Sequence, residues 1–174
     1  MPQSSLQQAI QTQRALLNEY LRHSLSAYVL DLPALLSQRE ALDERLRAIF
    51  QTIEHCKYIY VLDAQGVQLS STVNKFGADE EAIGRDRAER PYMQHMQDTA
   101  CDFNLSQAYI SRNKKRPSLT AIQTIRNSQG QRLGFLGVDY DLRELPHSKI
   151  MYEEPSQWRQ IKGDPAIRQG LFAQ

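Results

Sequence analysis

The chain has 174 residues, of which 41% are apolar, and its 21 basic and 20 acidic side chains leave a formal net charge of +1. That length suits one domain with a core and an appendage, and so balanced a charge offers no global field for nucleic acid or an anionic membrane. No stretch approaches the roughly 18 apolar residues of a bilayer span, and Cys56 and Cys101, lone cysteines in different predicted elements, read as reduced thiols of a cytoplasmic protein.

Leu6, Ile10, Leu17, Leu21 and Leu25, with Tyr28 continuing the stripe, recur at helical spacing and predict a long amphipathic helix over residues 4–29. Pro33 interrupts it, and Leu42, Leu46, Ile49, Phe50 and Ile53 predict a second helix. The apolar stripe either packs on its own domain or, along part of the first helix, forms the seam of a homodimer.

The period changes at Lys57. YIYVLDAQGVQLSS reads as strand, turn, strand, with Asp63-Ala64-Gln65-Gly66 as the turn. Residues 72–86 are polar, contain Gly77 and Gly84, and predict a loop. Pro91 suits the first position of a helix, so a short helix is expected over residues 92–98.

Three more strand-like runs follow at residues 105–111, 119–126 and 133–142, joined by the tips RNKKRPS and RNSQG. The sum is an α+β domain with a five-stranded antiparallel sheet. Residues 1–56 supply the helices and residues 57–146 the core. Residues 147–174 form a polar tail whose Trp158, Ile161, Ile167, Leu171 and Phe172 are expected to dock on the domain or a partner.

Catalytic signatures are absent. His23, His55, His95 and His147 lack metal-ligand spacing, and there is neither a phosphate-cradling Gly loop nor a GxSxG elbow. Met93, His95, Met96 and Cys101 include soft ligands, but methionines on a short helix belong to a core. A protein without metal, cofactor or enzymatic activity is expected. The tip Arg112, Lys114, Lys115, Arg116 reads as a solvated hairpin turn.

GRDRAERPYMQHM places Arg85, Arg87 and Arg90 within six residues. Arg85 and Arg87 belong to the polar loop and are expected at the surface. Arg90 precedes the short helix, whose free N–H groups would join its guanidinium in holding an anion. Strand alternation supplies an opposite wall: Gln107, Tyr109 and Ser111 share one face, Ser118, Thr120 and Thr124 another, and Phe135, Gly137, Asp139 and Asp141 a third. Such polar groups on the inward side of a sheet contact either a ligand or the loop above them.

The order of two helices, YIYVLDAQGVQLSS, GRDRAERPYM, SQAYISR and GQRLGFLGVDYDL resembles the PAS-like Cache (PDC) sensor domains of bacterial chemoreceptors and sensor kinases, over residues 6–145. The resemblance implies a small-molecule pocket between the sheet and the loop and short helix above it. It implies that Arg90 and Tyr92 hold a carboxylate, and that Tyr109 and Asp139 hold an ammonium group. Tyr92 stands where the amino-acid-binding members carry Trp, and Arg85 lies near the place of an expected aromatic, so the implied ligand is a small carboxylate, either amino acid or organic acid. Ser111 and Thr120 complete the candidate wall. Signalling would pass through a dimer or a separate protein. The alternative is an adaptor with a vestigial pocket that uses its N-terminal helix and C-terminal tail.

Overall fold

The computed structural model describes residues 5–111 and 115–145. Helix α1 (Ser5–Tyr28) buries Leu21 and Leu25 completely, while Leu16 and Tyr20 on its other side stay exposed. Each fully buried leucine contributes about 1.5–3 kcal/mol, so the second half of α1 is held by packing. Its first half is held by Arg14, which donates 2.7 Å hydrogen bonds to the carbonyls of Leu105 and Ser106. Two short 3-10 turns, one starting at Pro33, lead into α2 (Arg39–Phe50). Leu42, Leu46 and Ile49 are its buried face. Ile53 is also buried, but beyond the helix.

Seven antiparallel strands follow: β1 (Tyr58–Asp63), β2 (Thr72–Asn74), β3 (Gly77–Asp79), β4 (Phe103–Leu105), β5 (Tyr109–Ile110), β6 (Pro117–Arg126) and β7 (Arg132–Asp141). Their order is β3-β2-β1-β7-β6-β4, with β5 also on β6. Strands β4 and β5 pair with different parts of β6, opposite Ala121–Gln123 and Pro117–Ser118 respectively, and so occupy one position in the sheet. The expected five positions are present, and β3 adds an edge.

Two differences from the sequence reading have local causes. The run Val67–Ser71 extends the hairpin from β1 only through a single bridge, Gln68 opposite Leu62. Its polar side chains take over backbone bonding: Ser70 Oγ accepts from Val61 N at 2.8 Å, and the Val61 carbonyl accepts from Leu69 N at 2.8 Å. Pairing with β1 then resumes at Val73, opposite Ile59, inside the segment expected to be a loop. The expected helix over residues 92–98 is instead two 3-10 turns, Pro91–Met93 and His95–Gln97. Turns that short carry no useful dipole, so the helix-terminus part of the anion argument fails and side chains must supply the charge.

The sheet has two covered faces. Ile59 and Val61 of β1, Leu119, Ala121 and Ile125 of β6, and Leu136, Val138 and Tyr140 of β7 meet α1 and α2 in the main core. Tyr60, Leu62, Ile122 and Phe135 point the other way and meet Tyr92, Met93 and Met96. Beside this second cluster the sheet is not covered by apolar side chains, and there the cavity opens. Among the described residues no helix is long and apolar enough to cross a membrane. The basic tip falls partly, and the tail expected at residues 147–174 wholly, outside the described residues.

Candidate functional site

The loop of residues 84–90 is stitched to the turn after β1. Gln68 N donates to the Arg85 carbonyl at 2.9 Å, Gly84 N to the Gln68 carbonyl at 2.8 Å, and Arg87 N to the Gly66 carbonyl at 2.9 Å. Gly66 makes this approach possible: its φ is +89°, and a Cβ there would meet the Ala88 backbone at 3.0 Å. The stitched segment turns Arg87 inward. Its side chain, expected at the surface, is only 8% exposed. Arg87 Nε donates to Gln68 Oε1 at 2.9 Å and Nη1 to the Tyr92 hydroxyl at 3.0 Å, while the guanidinium lies 4.3 Å from the Tyr60 ring centroid. Gln68 is fixed in turn by its amide, which donates to the Ser70 carbonyl at 2.8 Å and Thr72 Oγ1 at 2.9 Å. Ser71 closes the strip on α2, its N–H and hydroxyl bonding the two oxygens of buried Asp43 at 3.0 and 2.6 Å.

On the sheet side, Asp139 of β7 lies opposite Tyr58 of β1 and Thr120 of β6. Its Oδ1 accepts from the Tyr60 hydroxyl at 2.9 Å and from Thr120 Oγ1 at 2.8 Å. Because the single Thr120 proton goes to Asp139, the 2.5 Å contact between Tyr109 and Thr120 must use the Tyr109 proton, which leaves the phenol oxygen able to accept. Gly137 lies opposite Tyr60, and its missing Cβ leaves room for the Tyr60 ring to cross β7 and reach Asp139.

Between these walls lies a cavity of about 530 Å³, a volume typical of small-molecule sites. Arg90, Tyr92, Tyr109, Ser111 and Asp139 all line it. Thr120 does not. It is fully buried behind Asp139 and Tyr109 and orients both, which corrects the expectation that it forms part of the wall. Ser111 stands where the hairpin closes, its Oγ accepting from Arg116 N at 3.1 Å. Arg116, expected in a solvated turn, keeps a 43% exposed side chain, lines the cavity and donates to Asp141 at 3.1 Å. Arg90 is half-buried, in extended backbone before Pro91, and its guanidinium makes no hydrogen bond or ion pair with another described residue.

Burial raises the Asp139 carboxyl above its ordinary range, and the Thr120 hydroxyl, Arg87, Tyr60 and Arg90 only partly counter it. Burial would raise Asp141 too, but the Arg143 amide and the guanidiniums of Arg143 and Arg116 outweigh it and hold that carboxyl low. Desolvation lifts the phenols of Tyr60, Tyr92 and Tyr109, so all three remain protonated donors near neutrality. Burial works against the charge on Arg87, but Tyr60, Tyr92 and Asp139 more than compensate, and it stays a cation. Among the described residues no three His, Cys, Asp or Glu side chains converge as metal ligands. Met96 and Cys101 lie together, with sulfurs 3.7 Å apart, beside the second apolar cluster.

Sequence reasoning missed Arg87 and Gln68. Nothing in GRDRAERPY says that the loop will pair with residues 66–68. Once that bridge exists, Asp86 faces out and Arg87 faces in by simple alternation.

No protein-family model matches the chain, and no curated protein matches it in sequence. Solved structures do. The sensor domain of the Vibrio cholerae histidine kinase DctB is similar with a TM-score of 0.63 and 18% identity, over 82% of this chain and 55% of that one. The ligand-binding domain of the Campylobacter jejuni chemoreceptor Tlp3, in complex with L-valine, gives 0.62 and 16%, over 86% and 61%. An extracellular ligand-binding receptor from Desulfohalobium retbaense gives 0.60 and 15%, over 84% and 26%. The chain thus spans between about a quarter and three fifths of these structures. The fold is the one found in these sensor domains, in agreement with the Cache-type resemblance.

Proposed function

We propose that this domain is a non-catalytic sensor that binds a small carboxylate, an amino acid or organic acid, in the cavity between β7 and the loop of residues 84–90. One observation carries the reading: Arg90 and Asp139, neither in an ion pair with another described residue, line the same cavity, and both hydroxyls that bond Asp139 use its Oδ1. Arg90 and the Tyr92 side receive the carboxylate, while Asp139 and the Tyr109 oxygen accept from an ammonium or hydroxyl group. Charge-assisted bonds of this kind contribute about 1.5–3 kcal/mol each, enough in combination for affinity of about micromolar order. The fold shared with ligand-binding sensor domains, one of them in complex with L-valine, supports the same direction.

Output passes through protein contacts. The exposed Leu16 and Tyr20 of α1 offer a seam for a second copy, and sedimentation of the wild type beside Leu16→Glu tests it. The proposed location is the cytoplasm, which cell fractionation tests.

The central test is thermal shift against a panel of amino acids and organic acids. Arg90→Ala should lose ligand-induced stabilisation and keep the wild-type circular dichroism spectrum. A wild type that no member of the panel stabilises would overturn the reading.

A further inference from the structure

The charges on the inner wall do not balance. Lys57 is paired with Glu144, and Arg116 and Arg143 with Asp141. Asp79 and Glu81 line the outer part of the cavity as exposed groups, with the half-buried Arg85 beside them. In that position solvent and salt screen them. What remains inside is Arg87, Arg90 and Asp139, two cations and one anion, none in an ion pair with another described residue. Arg87 is the most consequential of the three because a buried guanidinium without a counter-ion is costly. Its Nε and one Nη1 proton are used by Gln68 and Tyr92, and its Nη2 donates no hydrogen bond to another described residue.

A ligand with one carboxylate and one ammonium compensates Asp139 and only one arginine. A dicarboxylate without an amine meets both arginines but brings an anion against the open oxygen of Asp139. A ligand with two anionic groups and one cationic group matches all three. The wall is mostly polar: Tyr58, Thr72, Asn74, Ser111 and Ser118 line it, and its aliphatic share is Ala82, Pro91 and the largely exposed Ile110.

We infer that the site selects an acidic α-amino acid, with Arg87 receiving the second carboxylate opposite Arg90. This rests on the carboxylate-sensor reading above and adds a specificity-determining residue to it. Arg87 is already aimed before any ligand arrives, because Gln68, Tyr92 and the Tyr60 ring fix its plane. A second carboxylate therefore meets a positioned donor rather than a mobile side chain.

Calorimetric titration with L-glutamate, L-aspartate, L-valine and succinate tests the assignment on the wild-type protein alone. At least one of the two acidic amino acids should bind about tenfold more tightly than L-valine and than succinate. Arg87→Met should remove that advantage, weakening the acidic amino acids about tenfold more than it weakens L-valine. Arg87→Lys, which keeps the charge, covers the case in which the methionine variant does not fold, and should retain part of the preference. L-Valine binding as tightly as both acidic amino acids would overturn the inference and leave the sensor reading standing, as would succinate matching them. If none of the four binds, and the wider panel of acids also fails, the sensor reading falls and this inference with it.

Discussion

Asp139 and Asp141 stand two residues apart on β7, line the same cavity, and are displaced in opposite directions from the ordinary carboxyl pKa. Asp139 is held by two hydroxyls without a salt bridge among the described residues, whereas Asp141 has two guanidiniums and a backbone amide. One is prepared to meet a cation from outside. The other is already satisfied.

For Asp139 the folded-state pKa exceeds the unfolded one, so the native state binds more protons between the two values, and stability falls as pH rises through that window. The ligand-free Asp139→Asn variant should therefore be at least as stable as wild type at neutral pH, with the wild type recovering ground as pH falls toward about 4. Urea midpoints at the two pH values measure this. A variant less stable at neutral pH than in acid, relative to wild type, would contradict it.

Asp141 has the reverse sign. Its folded-state pKa is depressed, so it contributes stability that is present above the unfolded value and lost as pH falls through the folded one. Asp141→Asn should cost about 2 kcal/mol near neutrality and progressively less as pH falls below the ordinary carboxyl range. The same urea series reads both carboxylates.

A side chain at Gly137 would overlap the Tyr60 ring. Gly137→Ala should cost about 1–3 kcal/mol through overpacking, and it should also shift the Tyr60 hydroxyl away from Asp139. Thermal unfolding reports the first effect. Tyrosine fluorescence or a ring-proton NMR shift at Tyr60 reports the second.

Burial pushes the Cys56 thiol far up, with Asp139 adding to the effect and the Tyr58 carbonyl only partly opposing it. Cys56 should resist a thiol-specific reagent in the native protein at pH 8 and react fully in denaturant, because the thiolate is the reactive species. Mass spectrometry of the labelled peptides checks this residue by residue.

The helices and the long strands were legible because their apolar spacing is strong: Leu21, Leu25, Leu42, Leu46 and Ile49 are buried where the periodicity puts them. Strand alternation likewise put Tyr109 and Asp139 on the cavity side, and the arginine run lies on a loop that lines the cavity. What was not legible depended on contacts distant in sequence. Arg87 is turned inward by pairing with Gly66, twenty-one residues away, and Thr120 is withdrawn behind Asp139 by a hydroxyl chain that alternation alone cannot order. The short strands β2 and β3 were hidden by polar composition, since Ser70 and Ser71 satisfy backbone and Asp43 with side chains before the ladder resumes.

The strip from Gln68 to Thr72 grips Arg87 at one end and the buried carboxylate of α2 at the other. A guanidinium braced in this way has little rotational freedom left to surrender on association, so its ordering is settled while the chain folds. Loosening the brace, for instance at Ser71, leaves every cavity-lining atom in place and acts on dwell time, the kinetic quantity through which related complexes mostly differ.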